Sequence, residues 1–327
     1  MADKVRVGVV GVGDFGQHHV RIYRDSPEAE LVGVFDINRV RADEIAGAHG
    51  TRAFGSLREL AREIRAASVA VPTNDHARVG IELLEAGVDV LVEKPMAASL
   101  EEADQLLATA ERTGSILQVG QTERFNPATV AAQRIVTAPL FFEVHRLGGF
   151  SGRSLDVDVI YDVMIHDLDI ILSFVGEMPG DVRAVGIPIL SSKVDIANAR
   201  LEFAGGCVAN VTASRVSTEK VRKLRFFQPG QYVSLDFSRR DVLVIGVDAG
   251  GTTVDEPRLS FQSLPTEVTE PLAAELAAFL QAVRTRHPAP ANGSEGRRAL
   301  ELADRVARAI AEHARKVPAA AFPAAMS

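Results

Sequence analysis

Val5-Arg-Val-Gly-Val-Val-Gly11-Val-Gly13-Asp14-Phe15-Gly16, followed by Leu31-Val-Gly-Val-Phe-Asp36, is the stretch whose reading decides the fold. An apolar run enters a turn with G-x-G-x-x-G spacing, and the amphipathic residues 14–24 leave it. The pattern predicts strand, glycine turn, helix, then a second strand ending at Asp36. Each glycine has its own mechanical reason: Gly11 permits the tight turn, Gly13 lets a pyrophosphate approach the backbone, and Gly16 lets the helix pack closely on the strand. The helix N-terminus, with its unpaired N–H groups and the positive end of the macrodipole, suits the phosphates. Asp36 comes where a carboxylate accepts both hydroxyls of an adenosine ribose and repels a 2′-phosphate, so NAD is expected in preference to NADP. Arg39 is the residue that would favour the phosphate instead. Asp14 and Phe15, inside the turn, are expected to face the same cofactor.

The 327 residues, 46% of them hydrophobic, are enough for two domains with cores of their own. A single cysteine, Cys207, rules out a disulfide framework and a cysteine-based zinc site, which points to a reduced, cytoplasmic compartment. No signal peptide and no apolar run of membrane-spanning length is read, so no membrane partner is expected. A net charge of −7 argues against nucleic-acid binding.

Helix and strand alternate after Asp36, the signature of a parallel sheet with crossover helices. Within it, Ser99 is read as the N-cap of a helix over 99–112, with Glu102 in the capping-box position and Gly114 as terminator. From Gly120 the character changes. A helix over 126–136 and a strand over 140–147 precede a Gly/Ser loop, 148–154, and a long apolar helix near 157–174. Alternating runs then follow with no helices between them: 196–203, 207–215, 222–227, 232–237, 242–247 and 259–264. These predict an antiparallel sheet with one face open to a substrate or another subunit. Two helices close the chain. The expected architecture is an α/β dinucleotide-binding domain over 1–121, an α+β domain with a large open antiparallel sheet over 122–317, and a frayed tail over 318–327.

Glu93-Lys94-Pro95 directly follows a strand of the first domain, at the carboxyl edge where open α/β sheets bind ligands. Proline keeps Lys94 out of helical geometry, and an ammonium there can stabilise an alkoxide as hydride departs. In Tyr161-Asp162-Val-Met-Ile-His166-Asp167-Leu-Asp169, Asp162 and His166 share a face of an otherwise apolar helix. A histidine can take the hydroxyl proton while a carboxylate orients it, the carboxylate being Asp162 or Asp169. Pro72-Thr73-Asn74-Asp75-His76 opens another helix at the carboxyl edge; Pro72, Thr73 and Asn74 are read as cofactor contacts, Asp75 as an N-cap, and His76 as either. Glu93 and Gln121 are assigned to the cofactor as well. His18 and His19 read as solvent or packing residues.

On these residues the chain resembles the Gfo/Idh/MocA oxidoreductase family over nearly its whole length. The resemblance implies NAD(P)-dependent oxidation or reduction of a sugar or cyclitol hydroxyl, Lys94 and His166 as the acid/base pair, and homodimers or homotetramers built through the open sheet. One departure is Leu155-Asp-Val-Asp-Val, where many members carry a glycine run. Gly120-Gln-Thr-Glu-Arg-Phe-Asn-Pro127 and the Asp162–Asp169 segment look like the sub-group that oxidises the 3-hydroxyl of UDP-N-acetylglucosamine. For such a substrate Arg124, Arg146, Arg153 and Arg215 are candidate cations, Phe125 and Tyr232 candidate flat surfaces, and Asn126 and Tyr161 further contacts. A free-sugar or inositol dehydrogenase is the alternative, and a non-catalytic NAD-binding regulator a further one.

Overall fold

The computed structural model describes residues 4–149, 157–247 and 259–316. Expectations for Arg153, for Leu155-Asp156 and for the tail lie outside the described residues. The chain divides into two units, Met1–Phe125 with Glu270–Arg297, and Asn126–Thr269 with Arg298–Ser327.

The first unit is a parallel sheet wound with helices: β1 (Val5–Val10), α1 (Gly16–Asp25), β2 (Ala29–Phe35), α2 (Arg39–His49), β3 (Arg52–Ala53), α3 (Leu57–Ala61), β4 (Ala66–Val69), α4 (Thr73–Glu85), β5 (Asp89–Glu93), α5 (Leu100–Thr113) and β6 (Leu117–Gly120). The strand order is β3-β2-β1-β4-β5-β6, every pair parallel. β4 and β5 are buried at every position, as strands covered on both faces must be. The winding reverses between β1 and β4, the point at which such sheets open a crevice at their carboxyl edge. Ser99 caps α5 by accepting from the Glu102 N–H, and Gly114 ends it in the left-handed conformation.

This unit also reclaims the helix Pro271–Thr285, which the contiguous reading of 122–317 had placed in the second domain. The reason is its apolar stripe: Leu272, Leu276, Phe279, Leu280 and Val283 are buried in one cluster with Val5, Val7, Tyr23 and Ala29. Periodicity marks such a stripe but does not say which sheet it covers.

The second unit holds α6 (Pro127–Gln133), β7 (Phe141–Leu147), α7 (Ile165–Val175), β8 (Asp181–Ile187), β9 (Ile196–Glu202), β10 (Val208–Ser214), β11 (Val221–Gln228), β12 (Gln231–Asp236), β13 (Asp241–Val247) and β14 (Leu259–Leu264). Its sheet runs β14-β13-β12-β11-β7-β10-β9-β8 and is antiparallel except where β7 meets β10 in parallel. β8, unpredicted, is the edge strand; its sequence, Asp-Val-Arg-Ala-Val-Gly-Ile, has no strongly apolar face and no fully buried position. One sheet face packs on α7, with the Phe174 ring 6.4 Å from Phe142 and 5.8 Å from Phe226. The other carries Phe141, Phe227 and Tyr232 in a row, centroids 5.6 and 5.1 Å apart.

The β8–β9 loop is tied by a buried knot. Asp195 Oδ2 accepts the backbone N–H groups of Ile189, Leu190 and Ser191 at 2.7, 2.6 and 3.0 Å. Its Oδ1 accepts Arg215 Nε at 2.8 Å, while Arg215 Nη1 donates to the Val157 carbonyl at 2.7 Å, just ahead of the segment that leads into α7. Burial pushes the Asp195 carboxyl up, but the N–H donors of Ile189 and Leu190, Arg215 and Ser191 more than offset it and hold it well below the ordinary carboxylate range. Because the folded value is depressed, the stabilisation is complete above the unfolded carboxyl value, about 4, and is lost as pH falls below it. Asp195→Ala is expected to cost about 3–5 kcal/mol in urea unfolding at neutral pH by leaving Arg215 buried without its partner. The gap to wild type should narrow as pH falls below about 4.

Candidate active site

The glycine turn follows from steric exclusion. A Cβ on Gly16 would overlap the Gly11 carbonyl oxygen, and one on Gly11, whose φ is +82°, would lie 2.6 Å from the Ala70 carbonyl oxygen. At Gly13 the protein sets no such limit, because nothing lies within 4 Å of a Cβ built there. Gly13, Asp14 and Phe15 are all exposed. The free space beside Gly13 is what a pyrophosphate needs.

Capping sharpens the point. The helices after β2, β3 and β5 are capped by the side chains of Asn38, Ser56 and Ser99. Those after β1 and β4, the strands flanking the winding reversal, carry no side-chain cap. An anion at either end would supply the missing acceptor. Pro72, not Asp75, occupies the N-cap position of α4, and Asp75 pairs with Arg78 at 2.7 Å.

Asp36 holds the turn itself: Oδ2 accepts the Val12 N–H and Oδ1 the Asn38 N–H, both at 2.8 Å. Each oxygen keeps a second lone pair for a ribose hydroxyl. Arg39 is drawn away to Asp43 at 2.8 Å, whereas Arg41 Nε donates to the Val12 carbonyl at 3.0 Å. Beside Asp36, Ile37 and Val40 stand 89% and 78% exposed. Apolar side chains left in water give an adenine ring surface to cover; they were missed because a short exposed Ile or Val has no periodic signal. These residues fit NAD.

Lys94 lies half-buried just beyond β5, with a cis peptide bond to Pro95. Glu93 is buried, and its carboxylate accepts the Lys94 N–H at 3.3 Å. His76 is buried too, its ring nitrogens 2.9 Å from the carbonyl oxygens of Pro95 and Val71. Burial pushes that imidazole down, against the pull of the two carbonyls. Of the two readings of His19, solvent or packing, burial leaves the second: it is fully buried, with Nε2 3.2 Å from Glu93 Oε1. Gln121, directly after β6, is buried.

In the second unit, Asp162 lies in a π-helical turn, Ile160–Met164, that runs into α7. The Ile165 N–H reaches back to the Ile160 carbonyl, the i→i−5 bond of a π turn. Periodicity read one α-helix here, since inserting a wide turn leaves the apolar pattern nearly unchanged. Asp162 and His166 are both half-exposed, while Asp167 and Asp169 are buried. Asp167 takes Arg146 Nε and Nη2 at 2.8 and 2.7 Å.

Several expected substrate contacts have other engagements. The Tyr161 hydroxyl donates to Asp304 at 3.0 Å. Asn126 caps α6 through the Ala128 N–H and donates to the Phe237 carbonyl at 3.1 Å. Tyr232 stands on the sheet face opposite α7, Phe125 is buried, and Arg124 reaches Glu295 at 3.7 Å. Arg146 and Arg215 are consumed by Asp167 and Asp195. Among the described residues no group of three or more His, Cys, Asp or Glu side chains could hold a metal, and no helix is long and apolar enough to cross a membrane.

Comparison with known proteins gives the same reading. Residues 5–121 match the oxidoreductase family with an NAD-binding Rossmann fold, and 145–228 match the GFO/IDH/MocA C-terminal domain. UDP-N-acetylglucosamine 3-dehydrogenase of Acidithiobacillus ferrooxidans is 39% identical over 307 residues, 94% of this chain and 97% of that one. The chain belongs to the Gfo/Idh/MocA family. A solved structure of that Acidithiobacillus enzyme superimposes with a TM-score of 0.89 at 38% identity, covering 94% of this chain and 98% of the other. Inositol 2-dehydrogenase of Rhizobium meliloti, 27% identical over 94% of this chain and 97% of its own, is a more distant relative. As a Gfo/Idh/MocA member this protein is an NAD-binding oxidoreductase.

The glycine turn yields a test. Gly13→Ala should leave the melting temperature nearly unchanged yet weaken NAD binding about tenfold, roughly 1.4 kcal/mol. Gly16→Ala, which must displace the Gly11 carbonyl, should lower the melting temperature as well. Calorimetry and NADH fluorescence titration separate the two.

Proposed function

We propose that the protein oxidises the 3-hydroxyl of UDP-N-acetylglucosamine to a 3-keto sugar, with NAD as hydride acceptor. The observation that carries this reading is the 39% identity sustained over 94% of the chain with an enzyme named for that reaction. NAD, when bound, takes the hydride from the sugar carbon. Lys94 holds the reacting oxygen and stabilises its developing negative charge. His166 abstracts the hydroxyl proton, and Asp162, on the same half-exposed side of the helical segment, orients the imidazole. The presence of both lysine and histidine speaks against a non-catalytic NAD-binding regulator.

The enzyme acts in the cytoplasm and supplies the 3-keto sugar to an aminotransferase for amino-sugar lipid A. It assembles as a homodimer or homotetramer through the open sheet face, where Phe261, Leu259 and Val247 are 67%, 56% and 54% exposed. The more distant inositol 2-dehydrogenase supports a second reading, a polyol dehydrogenase.

NADH formation at 340 nm, measured with UDP-N-acetylglucosamine, UDP-glucose, myo-inositol and glucose, distinguishes these readings. Activity confined to UDP-N-acetylglucosamine is the expected result; turnover of myo-inositol alone would overturn it in favour of the second reading. Lys94→Ala and His166→Ala should each lower kcat by about a hundredfold or more, with NADH affinity within about twofold of wild type. Wild-type rates in both variants would refute the mechanism.

A further inference from the structure

Two histidines outside the proposed chemistry are buried against the residues that flank Lys94 in sequence. His19, on α1, has no exposed surface, and its Nε2 lies 3.2 Å from Glu93 Oε1. The other carboxylate oxygen, Glu93 Oε2, accepts the Lys94 N–H. That carboxylate fits only because residue 120 on the neighbouring strand is glycine: a Cβ there would lie 2.6 Å from Oε1. On the other side, His76 places Nδ1 2.9 Å from the Pro95 carbonyl and Nε2 2.9 Å from the Val71 carbonyl. A neutral imidazole carries one N–H, so it donates to one of these two carbonyls at a time.

Burying ionisable groups away from water is costly, and apolar side chains of similar volume would stabilise the fold at least as well. Packing alone therefore does not account for an imidazole at each of these positions. Both contact the backbone or side chain of a residue adjacent to Lys94, one before it and one after. A reacting group misplaced by about 1 Å can lose about a hundredfold in rate.

We infer that His19 and His76 are positioning residues that together set where the Lys94 ammonium stands, His19 through the Glu93 carboxylate and His76 through the Pro95 carbonyl. The inference rests on the reading of Lys94 as the group that holds the reacting oxygen. Neither histidine touches substrate; each acts by restricting the turn that carries the lysine.

The test is a double-mutant cycle on the full-length protein, with NAD and UDP-N-acetylglucosamine as substrates. His19→Leu and His76→Leu are each made with Lys94 present and in Lys94→Ala, and kcat, KM, NADH affinity and melting temperature are measured. With Lys94 present, each should lower kcat by about tenfold or more while NADH affinity stays within about twofold. In Lys94→Ala the same changes should alter kcat by less than about twofold, because the group they position is gone. His19→Gln, whose amide N–H can donate to Glu93, should recover most of the rate. If His19→Leu does not fold, His19→Met fills the volume and completes the cycle. Equal factors in both backgrounds, or a loss confined to NADH affinity, would overturn the inference while leaving Lys94 in its role. Wild-type turnover in Lys94→Ala itself would remove that role and the inference with it.

Discussion

Helix α1 packs so tightly on the turn that precedes it that no atom larger than hydrogen fits on Gly16 against the Gly11 carbonyl. That contact brings the helix start to the carboxyl end of β1, and it leaves no side chain in position to cap it. Asp36 then clamps the turn from β2 by accepting the Val12 N–H. The start of α1 is thus a helix end without a side-chain cap, beside a turn held by close packing. The same condition recurs at α4, where a proline occupies the cap position.

The second unit sets its helix by charge. Residues 166 and 167 point about 100° apart around an α-helix, so locking one fixes the other. Asp167 is locked by a two-pronged bond to Arg146 on β7, and His166 is left on the half-exposed side. Arg215 and Asp195 hold the approach to the π turn in a similar way, through the Val157 carbonyl. A buried ion pair of this kind is a poor source of net stability against apolar packing. Its geometry is directional, which a greasy contact is not, and it suits a helix whose rotation matters.

Arginine illustrates why sequence alone misjudges a substrate site. Arg146 lies in β7 and Arg215 directly follows β10, and both look like cations available for a diphosphate, but their partners, Asp167 and Asp195, are 21 and 20 residues away in sequence. Tyr161 and Asn126 likewise bond Asp304 and Phe237, which come from distant segments. The helix Pro271–Thr285 shows the same limit at the level of domains.

By itself the sequence determined the winding of the first unit, because glycine spacing, capping residues and the period of apolar residues are local requirements of the backbone. It also singled out Lys94, by its place directly after a strand of the first unit, and His166, a polar side chain in an otherwise apolar helix. Only the tertiary structure decided which polar groups are already spent on one another and which helix covers which sheet. It also decided that His19, outwardly a surface residue of α1, is buried beside Glu93. These outcomes depend on pairings between segments far apart in the chain, and side-chain chemistry states what a residue can bind without stating what will come within reach.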